Sequence, residues 1–295
     1  MSHITLIGPV TQDTIIKGSL NYKSAGGPVF YQSSVLSNLK INTRALITIS
    51  RDDEYLLKAF PSSVDIIPFY VNETIKFQNI YPDNDPNHRI QKAKIPQNPI
   101  KNISNHINDS DILLLGPLCP YDIPFKTIEE LSKLKTPIYL GAQGYLRHIN
   151  GNRIVLKPWS GFKKFLKHID ILFMDENESS IILGKRYSLG KTARILTSFG
   201  PEEVIITCGS YGSFIYSAKL DKSYIIPAFK PQKIEDPTGL GDTYMAAYAA
   251  CKLETEDPKK CGLFAAAASA LKLENKGPFK GERRSIMNIC KKIMN

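Results

Sequence analysis

Short apolar runs of strand length recur along the chain, separated by segments with helical spacing. The runs are ITLIG (4–8), ALITI (45–49), DILLLGP (111–117), PIYLGAQ (137–143), DILFM (170–174) and EVIITCG (203–209). Between them, PVFYQSSVLSNL (28–39), PFKTIEELSKL (124–134) and GKTARILTSF (190–199) place apolar residues at helical intervals. Continuous apolar strands alternating with helices predict a mostly parallel central sheet covered on both faces, an α/β three-layer sandwich. Two stretches break the alternation, TQDTIIKGSLNYKSAGG (11–27) and the segment 64–100. Both mix β-branched and aromatic residues with polar ones in alternation, which predicts antiparallel strands outside the main sheet. No linker, composition shift or repeat divides the chain. The expectation is a single domain over 1–295 with a small antiparallel β lid, its strands inserted within about 10–27 and 66–98.

Composition narrows the function classes. At 295 residues and 42% hydrophobic, the chain can bury a core large enough to hold a precise site. Its longest apolar runs are too short to span a bilayer, so no membrane partner is expected. HITLIGP at the N-terminus reads as a first strand, so no secretion signal is expected. Five cysteines without a CxxC pair, and no HExxH or Cys/His cluster, predict small buried thiols, no structural zinc and a reducing, cytoplasmic setting. The net charge of +10 invites nucleic acid as a partner. The basic residues, however, concentrate on two amphipathic helices. One carries Phe162, Phe165, Leu166 and Ile169 on its apolar side, and the other carries Ile286, Cys290 and Ile293. Such faces are better read as solvated, and nucleic acid is not expected as a partner.

Three glycine-containing readings compete for a phosphate site. GKRYSLGKT (184–192) has five residues where a P-loop has four, and it follows a helical segment rather than a strand, so Lys191 is expected to face solvent. GLGDTY (239–244) has Tyr244 where a dinucleotide fingerprint needs its third glycine. The same residues read differently as DPTGLGD (236–242). Glycines at 239 and 241 let the backbone turn sharply, and the helix that follows offers unpaired N–H groups and the positive end of its dipole. Together these form an anion hole for a transferring phosphoryl group. At its rim, Asp242 is either the base that accepts a hydroxyl proton or a helix cap.

EDPTGLGDTY (235–244) resembles the D-[TS]-T-G-A-G-D-x-F signature of the ribokinase-like (PfkB) carbohydrate kinase family. SAGGPVFYQSSVLSNL resembles its Gly-Gly substrate motif. VIITCGSYGSFIY, MDENESSIILG and FAAAASALKLENKG resemble its strand-T-x-G-x-x-G, N-x-x-E and Ala-rich helix segments, in the family's order. The resemblance implies a ribokinase-like fold and ATP-dependent phosphorylation of a hydroxyl on a polyol, sugar or nucleoside. It makes Asp242 the catalytic base and the amides of Gly239, Leu240 and Gly241 the anion hole. It places ATP beside Thr207, Gly209, Gly212 and Thr238, with Ala267, Ala270 and Asn275 near the base. It also implies Mg²⁺ organised by Asp175 and Glu178 through water, and leaves a monovalent cation open. Asp13, Gly26 and Gly27 would face the acceptor.

The departures from that pattern are informative. Leu240 stands where Ala is usual, Asp175 replaces the Asn of N-x-x-E, and Tyr31 sits where many sugar kinases carry a substrate-binding Asn. GGPVFYQSSVL, PNHRIQKAKIPQNPI and GAQGYLRHI resemble the inositol kinase branch and add Arg89, Gln143 and Arg147 as candidate substrate contacts. A polyol such as myo-inositol is the favoured acceptor, with nucleosides and other sugars open, and monomer and homodimer both open. A non-catalytic ligand- or nucleic-acid-binding protein on a kinase scaffold is the alternative of a different class.

Overall fold

The computed structural model describes residues 3–17, 20–81, 90–107 and 109–294. In chain order the strands are β1 (His3–Pro9), β2 (Thr11–Lys17), β3 (Leu20–Gly26), β4 (Asn42–Ser50), β5 (Val64–Val71), β6 (Ile75–Tyr81), β7 (Ile90–Lys94) and β8 (Ile112–Leu115). They continue as β9 (Ile138–Gly141), β10 (Arg147–Asn150), β11 (Arg153–Leu156), β12 (Ile171–Asp175), β13 (Glu203–Thr207), β14 (Ser213–Ser217) and β15 (Lys222–Ile226). The helices are α1 (Pro28–Asn38), α2 (Phe125–Ser132), α3 (Gln143–Leu146), α4 (Phe162–Leu166), α5 (Glu176–Leu183), α6 (Leu189–Thr197), α7 (Leu240–Lys252), α8 (Pro258–Leu273) and α9 (Arg283–Met294).

Nine strands form one sheet in the order β15-β14-β13-β12-β9-β8-β1-β4-β5, parallel from β13 to β5, with β14 and β15 antiparallel at one edge. Because successive side chains of a strand point to opposite faces, each apolar run feeds two cores. On β12, Ile171 and Phe173 join a cluster with Val29, Tyr248, Ala265 and Ile286, from α1, α7, α8 and α9. Leu172 and Met174 join the other, with Ile128, Phe165, Ile182 and Leu196 from α2, α4, α5 and α6. This is the three-layer arrangement the alternation predicts.

The alanines of α7 and α8 serve close packing: Ala246, Ala247, Ala249, Ala250, Ala265, Ala267 and Ala268 are wholly buried. A Cβ at Gly262 would meet Ile215 Cδ1 at 2.6 Å, so α8 lies against the sheet with no room for a side chain there. The start of α8 is fixed by Asp257, whose carboxylate accepts from the Lys259 and Lys260 amides at 2.9 and 3.3 Å. The first basic helix is shorter than expected: α4 ends at Leu166, with Phe165 and Leu166 buried and Phe162 half-buried, and Ile169 is buried in the loop that follows. In α9, Ile286 and Cys290 are buried, and the Ile293 side chain lies outside the described residues. Lys191 is exposed on α6, and Gly184 ends α5 in the left-handed region (φ 64°), a helix stop rather than a phosphate loop.

A second sheet of six strands, ordered β10-β11-β7-β6-β2-β3, stands where the lid was expected. It departs from the expectation in three ways. Residues 66–71 belong to β5, which pairs parallel with β4 in the large sheet. An edge strand of an α/β sheet is half exposed, so it shows the same polar alternation as a lid strand. The β2–β6 pair is parallel, while the other pairs of this sheet are antiparallel. Finally, β10 and β11 extend the sheet as a hairpin, with Gly151 at φ 64° in its two-residue Gly-Asn turn. Among the described residues no helix is long and apolar enough to cross a membrane.

Only Val10 separates β1 of the large sheet from β2 of the small one. The chain thus carries the small sheet to the carboxyl ends of the parallel strands, where open α/β sheets bind ligands.

Candidate active site

A cavity of about 340 Å³ lies at those strand ends, between the two sheets. Gly141 from the end of β9, Asp175 from the end of β12 and Thr207 from the end of β13 form its floor. Thr11, Asp13 and Phe77 reach it from the small sheet, and Thr238 to Asp242 close one side. Thr11 and Asp13, two apart on β2, share a face, and Asp13 is in register with Phe77 on β6. Asp13 is buried and its carboxylate accepts from the Thr11 hydroxyl at 2.7 Å. Gly26 is required beside it, since a Cβ there would lie 2.6 Å from Thr11 Oγ1 and 2.7 Å from the Asp13 carboxylate. Gly27 (φ 93°) caps α1 and lines the cavity with Pro28.

The start of α7, where the anion hole is expected, borders the cavity. Gly239, at φ 76°, is its N-cap and supplies no side-chain cap, although the Leu240 amide donates to the Pro237 carbonyl at 3.3 Å. A Cβ at Gly239 would collide with the Tyr31 ring, so the loop is pressed directly onto that ring. Tyr31 is itself buried, which together with Asp13, Asp236 and Asp242 pushes its phenol above the ordinary range. Asp242 sits in the first turn of α7 and lines the cavity. Desolvation raises its carboxyl to about 6, and the Arg147 guanidinium pulls in the opposite direction. Asp242 does not cap the helix; Gly239 holds that position. A carboxylate so placed can take a proton from a hydroxyl in the cavity.

Across the cavity, Asp175 and Glu178 form a capping box at the start of α5. Asp175 Oδ1 accepts from the Glu178 amide at 2.7 Å, and Glu178 Oε2 accepts from the Asp175 amide at 2.9 Å. Burial raises the Glu178 carboxyl to about 7, with the Asp175 charge adding to it, while Arg147 and a bond from Gln143 oppose the shift. Asp175 fills the role an Asn would fill as cap. The described residues contain no cluster of three or more His, Cys, Asp or Glu able to hold a metal. Two adjacent carboxylates at a phosphate-sized cavity do fit a Mg²⁺ that keeps its waters and takes further ligands from the phosphates it accompanies.

Of the residues expected at the site, the cavity gathers Asp13, Gly27, Tyr31, Gln143, Arg147, Asp175, Glu178, Thr207 and Thr238 to Asp242. Gly209 lines an adjoining pocket with Asp175, Thr207 and Arg186. Gly212 (φ 93°) closes the turn after β13, where a side chain would strike the Ile226 carbonyl. The residues expected beside a nucleotide base do not line this cavity. Ala267 is wholly buried in the core, Ala270 is buried, and Asn275 Nδ2 donates to the Leu271 carbonyl at 3.0 Å. Over the same end of α8 the segment before the anion loop is bonded down: the Glu235 amide donates to the Leu273 carbonyl at 2.9 Å, and the Gln232 amide to Glu274 at 2.7 Å. Arg89 lies outside the described residues. Thr11, Phe77, Leu118 and Met245 line the cavity without having been foreseen, although the period of β2 could have found Thr11 from Asp13.

The family model for pfkB carbohydrate kinases matches residues 132–282. The ribokinase of Arabidopsis thaliana is 28% identical over 193 residues, 63% of this chain and 47% of that protein. A nucleoside kinase of Methanocaldococcus jannaschii is 33% identical over 121 residues, 39% of this chain and 36% of that protein. The chain thus matches less than half the length of either relative. A solved pyrophosphate-dependent kinase of the ribokinase family, complexed with a pyrophosphate analog and myo-inositol, superposes with a TM-score of 0.81 at 22% identity, covering 97% of this chain and 99% of that one.

Proposed function

The chain belongs to the pfkB family of carbohydrate kinases, and from that premise we propose that it transfers a phosphoryl group from ATP to a hydroxyl of a small polyol, with myo-inositol the favoured acceptor. The class is that of phosphotransferases with a hydroxyl acceptor. One observation carries the assignment of roles: Asp242 and the α7 start without a side-chain cap border the same cavity as Asp13 and Arg147.

Phosphoryl transfer needs little covalent help and depends on positioning and on neutralising charge spread over the phosphoryl oxygens. In this reading the amides of Gly239, Leu240 and Gly241 receive the transferring group. Asp13 accepts hydrogen bonds from acceptor hydroxyls and fixes which one faces Asp242. Asp242 removes that hydroxyl's proton, and Arg147 steadies the carboxylate in its charged form. Mg²⁺ held near Asp175 and Glu178 would supply charge neutralisation of the donor's phosphates. Phe77, Leu118 and Met245 exclude water beside the reacting hydroxyl. The mixed polar and apolar lining suits a ring that carries hydroxyls on its edge and C–H groups on its faces.

A second reading, pyrophosphate as donor, is supported by one observation. The segment before the anion loop is bonded over the end of α8, and Ala267 and Ala270, expected beside a base, are buried and do not line the cavity, which suits a donor without a base. A donor and acceptor panel separates these readings: ATP and pyrophosphate are each offered with myo-inositol, ribose and nucleosides, and phosphorylated product is measured. ATP-driven phosphorylation of a polyol is the expected result. Product from pyrophosphate alone would move the donor assignment, and product from nucleosides alone would overturn the acceptor assignment.

A further inference from the structure

Lys272 is wholly buried in the last turn of α8, an unusual place for an ammonium group. A lysine at a helix C-terminus ordinarily extends into water while complementing the dipole. This one turns inward, to the beginning of the anion loop. Its Nζ donates to the Asp236 carbonyl at 2.7 Å and lies 3.5 Å from Asp236 Oδ2. The Tyr31 ring, on which the loop rests, has its centroid 5.9 Å away. Asp236 is in turn the knot of the loop: Oδ1 accepts from the Thr238 amide at 2.9 Å and Oδ2 from the Gly277 amide at 3.0 Å.

We propose that Lys272 is a positioning residue, a tethered cation that orders the phosphate-binding loop in place of a dissociable monovalent cation. Its partners, a backbone carbonyl and a carboxylate, are hard oxygen ligands of the kind a small cation selects. Burying a charge is costly, and a methionine would fill the same volume without that cost, so packing alone does not account for an ammonium here. What the charge adds is a fixed pull on Asp236, and through Asp236 on Thr238 and the amides that follow. Lys272 does not line the cavity, so it acts on the reaction through the loop and not by touching the transferred group. The carboxylate that faces the ammonium is Asp236. A loop held by a covalently attached charge needs no cation from solution.

The proposal rests on the kinase assignment, and the test keeps the two apart. Wild-type protein is assayed first in buffers whose only monovalent cation is tetramethylammonium, then with added potassium. No transfer by the wild type to any acceptor defeats the kinase assignment itself. Transfer that changes by less than about twofold on adding potassium supports the tethered cation; activation of about fivefold or more overturns it. Lys272→Ala and Lys272→Met are then compared with Lys272→Arg, with circular dichroism establishing that each is folded. The expected result is a loss of about tenfold or more in kcat together with a raised donor KM, an acceptor KM within about twofold of wild type, and partial recovery of Lys272→Ala with potassium or methylammonium. A folded Lys272→Met with wild-type kcat and donor KM overturns the proposal, as does a uniform loss that no added cation restores. If the substitutions do not fold, the potassium response of the wild type decides alone.

Discussion

Asp242 carries a carboxyl raised to about 6 by desolvation, in a turn whose amides favour negative charge. As a base it works only when deprotonated. The account therefore predicts that kcat/KM climbs about tenfold per pH unit below about 6 and flattens above it. This limb should vanish in Asp242→Asn, a comparison made by steady-state kinetics from pH 5 to 8. Glu178 is a separate case at the same scale. Burial, with the neighbouring Asp175 charge, raises its carboxyl from 4.5 to about 7. Its folded-state pKa exceeds the unfolded one, so its favourable contribution is complete below about pH 4.5 and is lost as pH rises through about 7. Glu178→Gln should thus gain stability over wild type as pH goes from 5 to 8, by up to about 3 kcal/mol in denaturant titrations. A difference that does not vary with pH would contradict the assigned environment. The same substitution should lower activity if Glu178 helps hold the Mg²⁺ of the proposed reaction, since it removes one of the two carboxylates placed for it.

At the scale of the element, the anion loop and α7 form one device, with Gly239 at its pivot. An alanine there meets both a left-handed φ of 76° and the Tyr31 ring. Gly239→Ala should cost about 1–3 kcal/mol in stability and reduce kcat by more than its thermal melt alone would suggest. Removing the ring in Gly239→Ala/Tyr31→Ala should recover part of the stability, leaving the backbone strain, and a double-mutant cycle in denaturant measures the split. The glycine turn and the helix start at Gly239 were legible in the sequence because glycine spacing and a following helix carry their own stereochemistry. So were the floor strands, whose apolar runs are long enough to fix their placement. Other elements were hidden for physical reasons. β5 alternates because it is a half-exposed edge, so it was mistaken for a lid strand. The β10–β11 hairpin is only four residues a side, and its Gly-Asn turn was the one local signal. Ala267 and Ala270 look alike as packing residues or as cofactor contacts, since smallness serves both. Lys272 gave no signal at all: a lysine in a helix reads as exposed, and only the fold turns it inward.

For the whole molecule, function follows from how the chain brings a second sheet to the carboxyl ends of the first. The link through Val10 carries Asp13 and Thr11 to a site whose other wall, Asp242, lies more than two hundred residues later in the sequence. No local pattern connects them; the sheet order does. The net charge of +10 has a corresponding explanation at this scale. Its concentrations lie on helices whose apolar sides are buried, and a basic surface suits anionic ligands without specifying the reaction. The central claim is that this cavity transfers phosphoryl groups with Asp242 as base. Its most direct test is product formation from ATP or pyrophosphate across a polyol, sugar and nucleoside panel, with Asp242→Asn run beside wild type on the best acceptor. The account predicts product well above the no-acceptor background and a loss of roughly 10²-fold or more in kcat for the variant, with its fold intact. Wild-type activity that the variant retains in full would contradict it.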